Sequence, residues 1–132
     1  MKRSILLLAG TVSVAVSLAV APALAAAAAP ALLSGPTVVA VSGMSATVTW
    51  TTNVAASSRV DYGATTAYGS NVADPSLVTS HSLNVTGLTC GTLYHYMVTS
   101  VDANNNSVSS ADATFSTSAC SGSGSVAPVS DE

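Results

Sequence analysis

The amino-acid sequence predicts an all-β domain, a seven-stranded Greek-key β-sandwich, on three observations. No sustained helical spacing of apolar residues follows Pro36. Short segments instead alternate polar and apolar residues, as in residues 45–52, where Ala46, Val48 and Trp50 share one face. Gly, Asn, Asp and Pro residues that favour turns separate these segments at intervals of about eight to twelve residues.

The first 25 residues are set apart from the fold because they have the layout of a secretory signal peptide. Lys2 and Arg3 precede a mostly apolar run, and residues 22–25, Pro-Ala-Leu-Ala, supply the small residues that signal peptidases accept. We expect cleavage after Ala25 or a nearby alanine. The alternative is an uncleaved anchor, since residues 5–29 exceed the roughly 20 residues that span a bilayer.

The net charge becomes more negative once this leader is removed, because two of the three basic residues lie within it. Arg59 is then the sole Lys or Arg against six acidic residues, a formal charge of about −5. A surface so poor in basic side chains lacks the contacts that bind phosphate backbones, so we expect no nucleic-acid partner. The mature chain of about 105 residues fits one domain with a small core.

Composition divides the chain into four segments. They are a signal peptide at 1–25, an Ala-rich spacer at 26–35, the β domain at 36–120 and a flexible Gly/Ser tail at 121–132. Strands are expected at 37–41, 45–52, 58–62, 68–72, 81–88, 94–101 and 113–117, with a loop at 53–56 and a turn-rich tip at 102–106.

Residues 88–94, Leu-Thr-Cys-Gly-Thr-Leu-Tyr, form the most informative segment, a predicted corner between two sheets. Leu88 closes one strand, a Gly-containing turn follows, and Tyr94 opens a strand whose alternate side chains face the core. The expected core signature is Trp50, Tyr62, Leu88, Tyr94, Tyr96 and Phe115.

These segments resemble a fibronectin type III domain, which has an immunoglobulin-like fold. Within that family they are most similar to the variety found before the catalytic domain of purple acid phosphatases and in many secreted bacterial proteins. The matching residues are 50–53 (Trp-Thr-Thr-Asn), 57–63 (Ser-Ser-Arg-Val-Asp-Tyr-Gly), 68–69 (Tyr-Gly), 81–83 (His-Ser-Leu) and 88–98. They span nearly all of the mature domain, from about Pro36 to Thr117.

Cys90 departs from the family, whose Leu-x-Pro-Gly-Thr turn has proline at this position. In the family's topology the last strand returns to the end that carries this turn, which implies that Cys120 lies near Cys90. We expect a disulfide that replaces the stiffening proline, in an oxidising compartment. The alternative is two free or intermolecular thiols.

No residue pattern predicts catalysis. His81 and His95 lie on different strands and point to opposite faces, whereas a metal needs three or four convergent ligands. Serine and threonine are abundant, yet no nucleophile elbow or ordered catalytic triad is present in the sequence. We expect a protein that is not an enzyme, with no catalytic residues, no cofactor and no metal.

Three kinds of surface feature remain. Arg59 is expected to pair with Asp61 on the same strand face. Asn84-Val-Thr and Asn105-Asn-Ser match the N-glycosylation pattern, with Asn84 facing outward and Asn105 at a loop tip. Carbohydrate sites usually expose aromatic side chains, and only Tyr68 is a candidate, so carbohydrate is a weakly supported partner.

Three functions fit this sequence. The favoured one is a secreted, non-catalytic module for adhesion, spacing or protein interaction at the cell surface, whose partner is an extracellular protein or another copy of the chain. The second is a structural subunit of an extracellular fibre or matrix assembled by strand addition. The third, based only on the resemblance, is an accessory domain or fragment of a secreted hydrolase. We expect an extracellular or periplasmic location, and a membrane partner only if the leader is uncleaved.

Overall fold

The computed structural model describes residue 10, residues 14–17 and residues 27–121, and this part of the chain is all-β, without a helix. Its six strands are β1 Leu32–Val41, β2 Ser45–Gly63, β3 Ser70–Thr86, β4 Leu93–Val101, β5 Ser107–Ser109 and β6 Ala113–Ser116. No helix within the described residues is long and apolar enough to cross a membrane. Most of the predicted signal peptide and residues 122–132 of the predicted tail lie outside the described residues.

Strand β2 joins two segments that the sequence predicts as separate strands. Its first part, residues 45–52, pairs with β1 and with residues 80–86 of β3. Its second part, residues 58–63, pairs with β4 and with residues 70–74 of β3. Register shifts on both sides of Ala56 separate the two parts, where the sequence predicts a loop. All pairings are antiparallel, and the curled sheet is consistent with a β-sandwich.

The strands therefore differ in count from the seven expected. β2 and β3 each join two predicted strands, and the C-terminal segment gains the short strand β5. β1 begins at Leu32, inside the segment expected to be a spacer, and pairs Leu32 with Thr52. Asn53 fixes the residues just before β1. Its side-chain Oδ1 accepts from the Ala31 amide at 2.6 Å, and its Nδ2 donates to the Ala29 carbonyl at 3.2 Å.

The core lies between the two parts of the sheet. Its buried residues are Ala46, Val48, Trp50, Val60, Leu83, Val85, Leu88, Tyr96, Val98 and Phe115. Two members of the expected core signature, Tyr62 and Tyr94, are half-buried and pack against this cluster. Phe115 contacts two tyrosine rings, stacking on Tyr94 at 5.7 Å and meeting Tyr96 edge-on at 5.6 Å between centroids.

Trp50 connects the two parts of the sheet across this core. Its indole Nε1–H donates to the Ser100 hydroxyl on β4 at 2.8 Å, and both residues are buried. Its ring stacks on His81 of β3, with centroids 4.8 Å apart and planes 4° apart. One side chain thus fixes how β2, β3 and β4 lie relative to one another.

The corner at residues 88–94 is fastened by hydrogen bonds and a disulfide. The Thr89 amide donates to the Tyr94 hydroxyl at 2.9 Å, and the Thr117 hydroxyl donates to the Thr89 carbonyl at 2.6 Å. Cys90 and Cys120 are bonded, with Cα atoms 5.1 Å apart, which is a normal disulfide separation. The expected disulfide is confirmed, and it ties the segment after β6 to this corner.

Replacing both cysteines, as Cys90→Ser with Cys120→Ser, tests the contribution of this tie. The two residues are 30 positions apart, so the loss of the cross-link is expected to lower the free energy of unfolding by about 3.5 kcal/mol. Urea unfolding followed by tryptophan fluorescence measures the change. A reductant is expected to destabilise the natural chain and leave the double variant unaffected, and a difference below about 0.5 kcal/mol between the two chains would contradict the prediction.

Candidate functional site

In the described part of the chain, the charged side chains lie on one part of the sheet or in the turns next to it. Between residues 27 and 121 the Asp, Glu, Lys and Arg side chains are Arg59, Asp61, Asp74, Asp102 and Asp112. None lies on β1, on residues 45–52 or on residues 80–86. We call these three segments the uncharged layer, and residues 58–63 and 70–74 with β4, β5 and β6 the charged layer.

The charged layer holds the expected ion pair between Arg59 and Asp61. Arg59 Nε donates to Asp61 Oδ2 at 2.9 Å and its Nη2 donates to Oδ1 at 2.6 Å. This bond and the nearby charge raise the pKa of Arg59. Because the guanidinium is about half exposed, the pair contributes little to stability. The one cation in the described part of the chain is therefore already engaged by a carboxylate.

A second polar cluster joins Tyr68, His95 and Asp112. His95 Nδ1 lies 2.8 Å from Asp112 Oδ2, and the Tyr68 hydroxyl donates to Oδ1 at 3.0 Å. The bond from His95, with a smaller contribution from Tyr68, lowers the pKa of Asp112. The cluster ties the β2–β3 turn to the start of β6, and the hydroxyl of the candidate carbohydrate-binding aromatic is engaged within it.

His81 sits in a satisfied, buried network rather than at an open site. Its Nε2 is 2.9 Å from the Thr52 hydroxyl and its Nδ1 is 2.7 Å from the Ser58 hydroxyl. The Thr52 hydroxyl donates its proton to the Val54 carbonyl, so it accepts from Nε2–H, and Ser58 donates to Nδ1. This arrangement suits the neutral ring, and burial lowers the pKa of His81.

The remaining predicted positions are dispersed. Asn84 is exposed on β3, and Asn105 is exposed with a positive φ of 64° in the turn after β4. The Asp102 carboxylate closes that turn by accepting from the amides of Asn104 and Asn106, and a further bond from the Asn106 side chain lowers its pKa. Across residues 10, 14–17 and 27–121, no three His, Cys, Asp or Glu side chains converge as a metal site would require.

The sheet has several free edges, and most are blunted against pairing. In the part of the chain that the structure describes, β1 and β3 each pair only with β2. β1 contains Pro36 and three register shifts. The segment 70–74 of β3 ends at Asp74 and Pro75, and β5 and β6 are only three and four residues long. Proline, charge, bulges and shortness are the usual means by which proteins prevent edge pairing.

Residues 80–86 of β3 form the one edge segment in the described chain without these protections. All seven pair in continuous register with residues 45–51 of β2, without a shift. The inward side chains His81, Leu83 and Val85 are buried, which fixes the segment against the core. The outward side chains are exposed and uncharged; they are Ser80, Ser82, Asn84 and Thr86. This segment, the free β3 edge, is the candidate interaction site.

Sequence reasoning did not single out this edge. It predicts an edge strand at 68–72, and residues 70–72 do lie on the edge strand β3, but the unpaired outer side of β3 in the described chain also includes residues 80–86, which the sequence does not identify as an edge. The one indication in the sequence is the absence of protective residues. Residues 76–86 contain no proline, glycine or charged residue, whereas the chain has such residues near its other edges.

The His81 network makes stability depend on pH. Because the folded-state pKa of His81 lies below 6.5, the unfolded chain binds a proton first as pH falls. The free energy of unfolding is therefore expected to decrease below about pH 6.5, by at most about 1.4 kcal/mol per pH unit for one proton. His81→Gln, which retains a donor and an acceptor, is expected to lose this decrease, and His95→Gln to keep it. Equal pH profiles for the natural chain and His81→Gln would contradict the assignment.

Comparison with known proteins leaves the function to be inferred from this geometry. No protein-family model matches the chain, and no curated protein matches its sequence.

Proposed function

We propose that the chain is an exported, non-catalytic module of the fibronectin type III type that binds proteins at the cell surface through the free β3 edge. The single observation that carries the proposal is this unprotected, seven-residue edge on a rigid strand. An extended segment of a partner protein adds to such an edge through backbone hydrogen bonds, while alternate side chains provide specificity.

The strand pairings support the seven-stranded Greek-key topology of that family. Divided at the register shifts, the chain has segments 32–41, 45–52 and 80–86 in one part and 58–63, 70–74, 93–101 and 107–116 in the other. The seven segments follow the predicted strands in order, although the first begins at Leu32, inside the expected spacer, and the last contains both β5 and β6. The Thr89 to Tyr94 bond supports the predicted corner, because a tyrosine that bonds back to the backbone is a recurring feature of such sandwiches.

The disulfide supports an extracellular or periplasmic location. Cys90 and Cys120 are bonded, and such bonds persist in oxidising compartments. The signal-peptide layout of residues 1–25 points to the same location.

A non-catalytic role is supported by how the polar side chains are used. His81 is buried with both ring nitrogens occupied, and His95 is engaged by Asp112. Arg59, the one cation that the structure describes, is engaged by Asp61. The fibre and the hydrolase fragment receive less support, since every strand in the described residues is already paired within the chain and none is left to add to a neighbour's edge, and no observation favours a hydrolase.

A photo-crosslinking experiment in the native cells tests this function. A photoreactive amino acid at Ser82, on the free β3 edge, is expected to capture a protein in the exported fraction, identified by mass spectrometry. The matched control places the same amino acid at Val39, which is exposed on the blunted β1 edge. Retention of the chain inside the cell, or equal capture from both positions, would contradict the proposal.

A further inference from the structure

We infer that the partner of the free β3 edge is a second copy of this chain, paired antiparallel through residues 80–86 about a two-fold axis at Leu83. This inference rests on the proposed function of that edge and names its partner. Pairing would join the uncharged layers of two molecules into one continuous sheet. Both copies would contribute the same segment, as a two-fold interface requires.

The sequence of the edge is complementary to itself in this register. On the exposed face, Ser82 lies opposite Asn84 of the second copy, and Ser80 lies opposite Thr86, so each residue meets a side chain that donates and accepts hydrogen bonds. On the core face, Leu83 lies opposite its own counterpart. No polar residue on the exposed face is opposed by an apolar one.

The distribution of charge favours a second copy over a charged partner. Two molecules with several acids each repel at long range, yet the nearest approach in this pairing is between uncharged layers. Asp61 lies on the charged layer and Asp112 directly precedes its strand β6, on the other side of the core from the edge. A basic partner would be expected to dock on that side instead, because these acids are there.

The blunted edges determine the size of the assembly. After residues 80–86 have paired, β1 of each molecule forms the two ends of the joined sheet. These ends are protected against further pairing by Pro36 and the register shifts of β1. An interface that uses the same segment from both molecules closes after two copies. The geometry therefore points to a discrete dimer and not to a fibre.

Two paired-lysine variants test the interface and its register. Ser82→Lys with Asn84→Lys puts like charges directly opposite each other at both exposed Ser–Asn pairs, which is expected to weaken dimerisation about tenfold or more. Ser82→Lys with Asn84→Asp puts opposite charges there and is expected to keep the dimer. Val39→Lys with Val41→Lys adds the same charge as the first variant on exposed β1 positions and is expected to have no such effect.

Sedimentation equilibrium across a concentration series measures the dimer dissociation constant of each chain. The full-length sequence is expressed and the protein is taken from the fraction in which it accumulates. A monomeric natural chain, equal weakening by the Val39/Val41 pair, or failure of the Lys/Asp pair to restore the dimer would each overturn the inference. If the chain is monomeric but Ser82 captures a different protein, the proposed function stands and the second copy is excluded.

Hydrogen exchange provides a measurement that needs no variant, should a lysine pair prevent folding. In the natural chain, amides within residues 80–86 that point away from β2 are expected to exchange more slowly as protein concentration rises. Amides of β1 that point away from β2 serve as the internal control and are expected to show no change. Concentration-independent exchange at both edges would overturn the inference.

Discussion

The position of Trp50 is the constraint on which the rest of this structure depends. Its indole N–H reaches Ser100 on β4, and its ring lies flat on His81 of β3. Breaking the hydrogen bond would leave a buried polar group without its partner, and a smaller ring would leave a gap beside His81. Both changes are costly in so small a core. Because Trp50 lies in the uncharged layer and Ser100 in the charged layer, this hydrogen bond holds the two layers together, while the stacking on His81 joins neighbouring strands within the uncharged layer.

The rigidity of the free β3 edge follows from this constraint. His81 is held by the Trp50 ring on its face and by Thr52 and Ser58 at its two nitrogens. With Leu83 and Val85 also buried, residues 80–86 cannot retreat from the surface or shift register without exposing core side chains. A strand so fixed needs little further ordering to accept a partner, which lowers the entropic cost of the proposed pairing.

Much of the fold can be predicted from sequence because side chains alternate strictly along a strand. The inward parity at Trp50, Leu83 and Phe115 and the corner before Tyr94 follow from that alternation and from turn residues. The continuity of β2 through Ala56 cannot be predicted in this way, because a bulge keeps strand geometry where the local sequence favours a loop. For the free β3 edge the sequence holds only an indirect indication, the lack of proline, glycine and charge in residues 76–86. The neighbour that a strand lacks is set by pairings distant in sequence, and an uncharged alternating strand has the same pattern at an edge as in the middle of a sheet.

A double-mutant cycle on Trp50 and Ser100 tests the central claim most directly. Urea unfolding of the natural chain, Trp50→Phe, Ser100→Ala and the double variant isolates the energy of the hydrogen bond from the loss of ring volume, which both phenylalanine-containing chains share. We predict that Ser100→Ala costs about 1–3 kcal/mol in the natural chain and much less in the Trp50→Phe chain, where the indole N–H is absent. The resulting coupling energy is expected to be about 1 kcal/mol or more. Additive effects of the two substitutions would contradict the central role of Trp50.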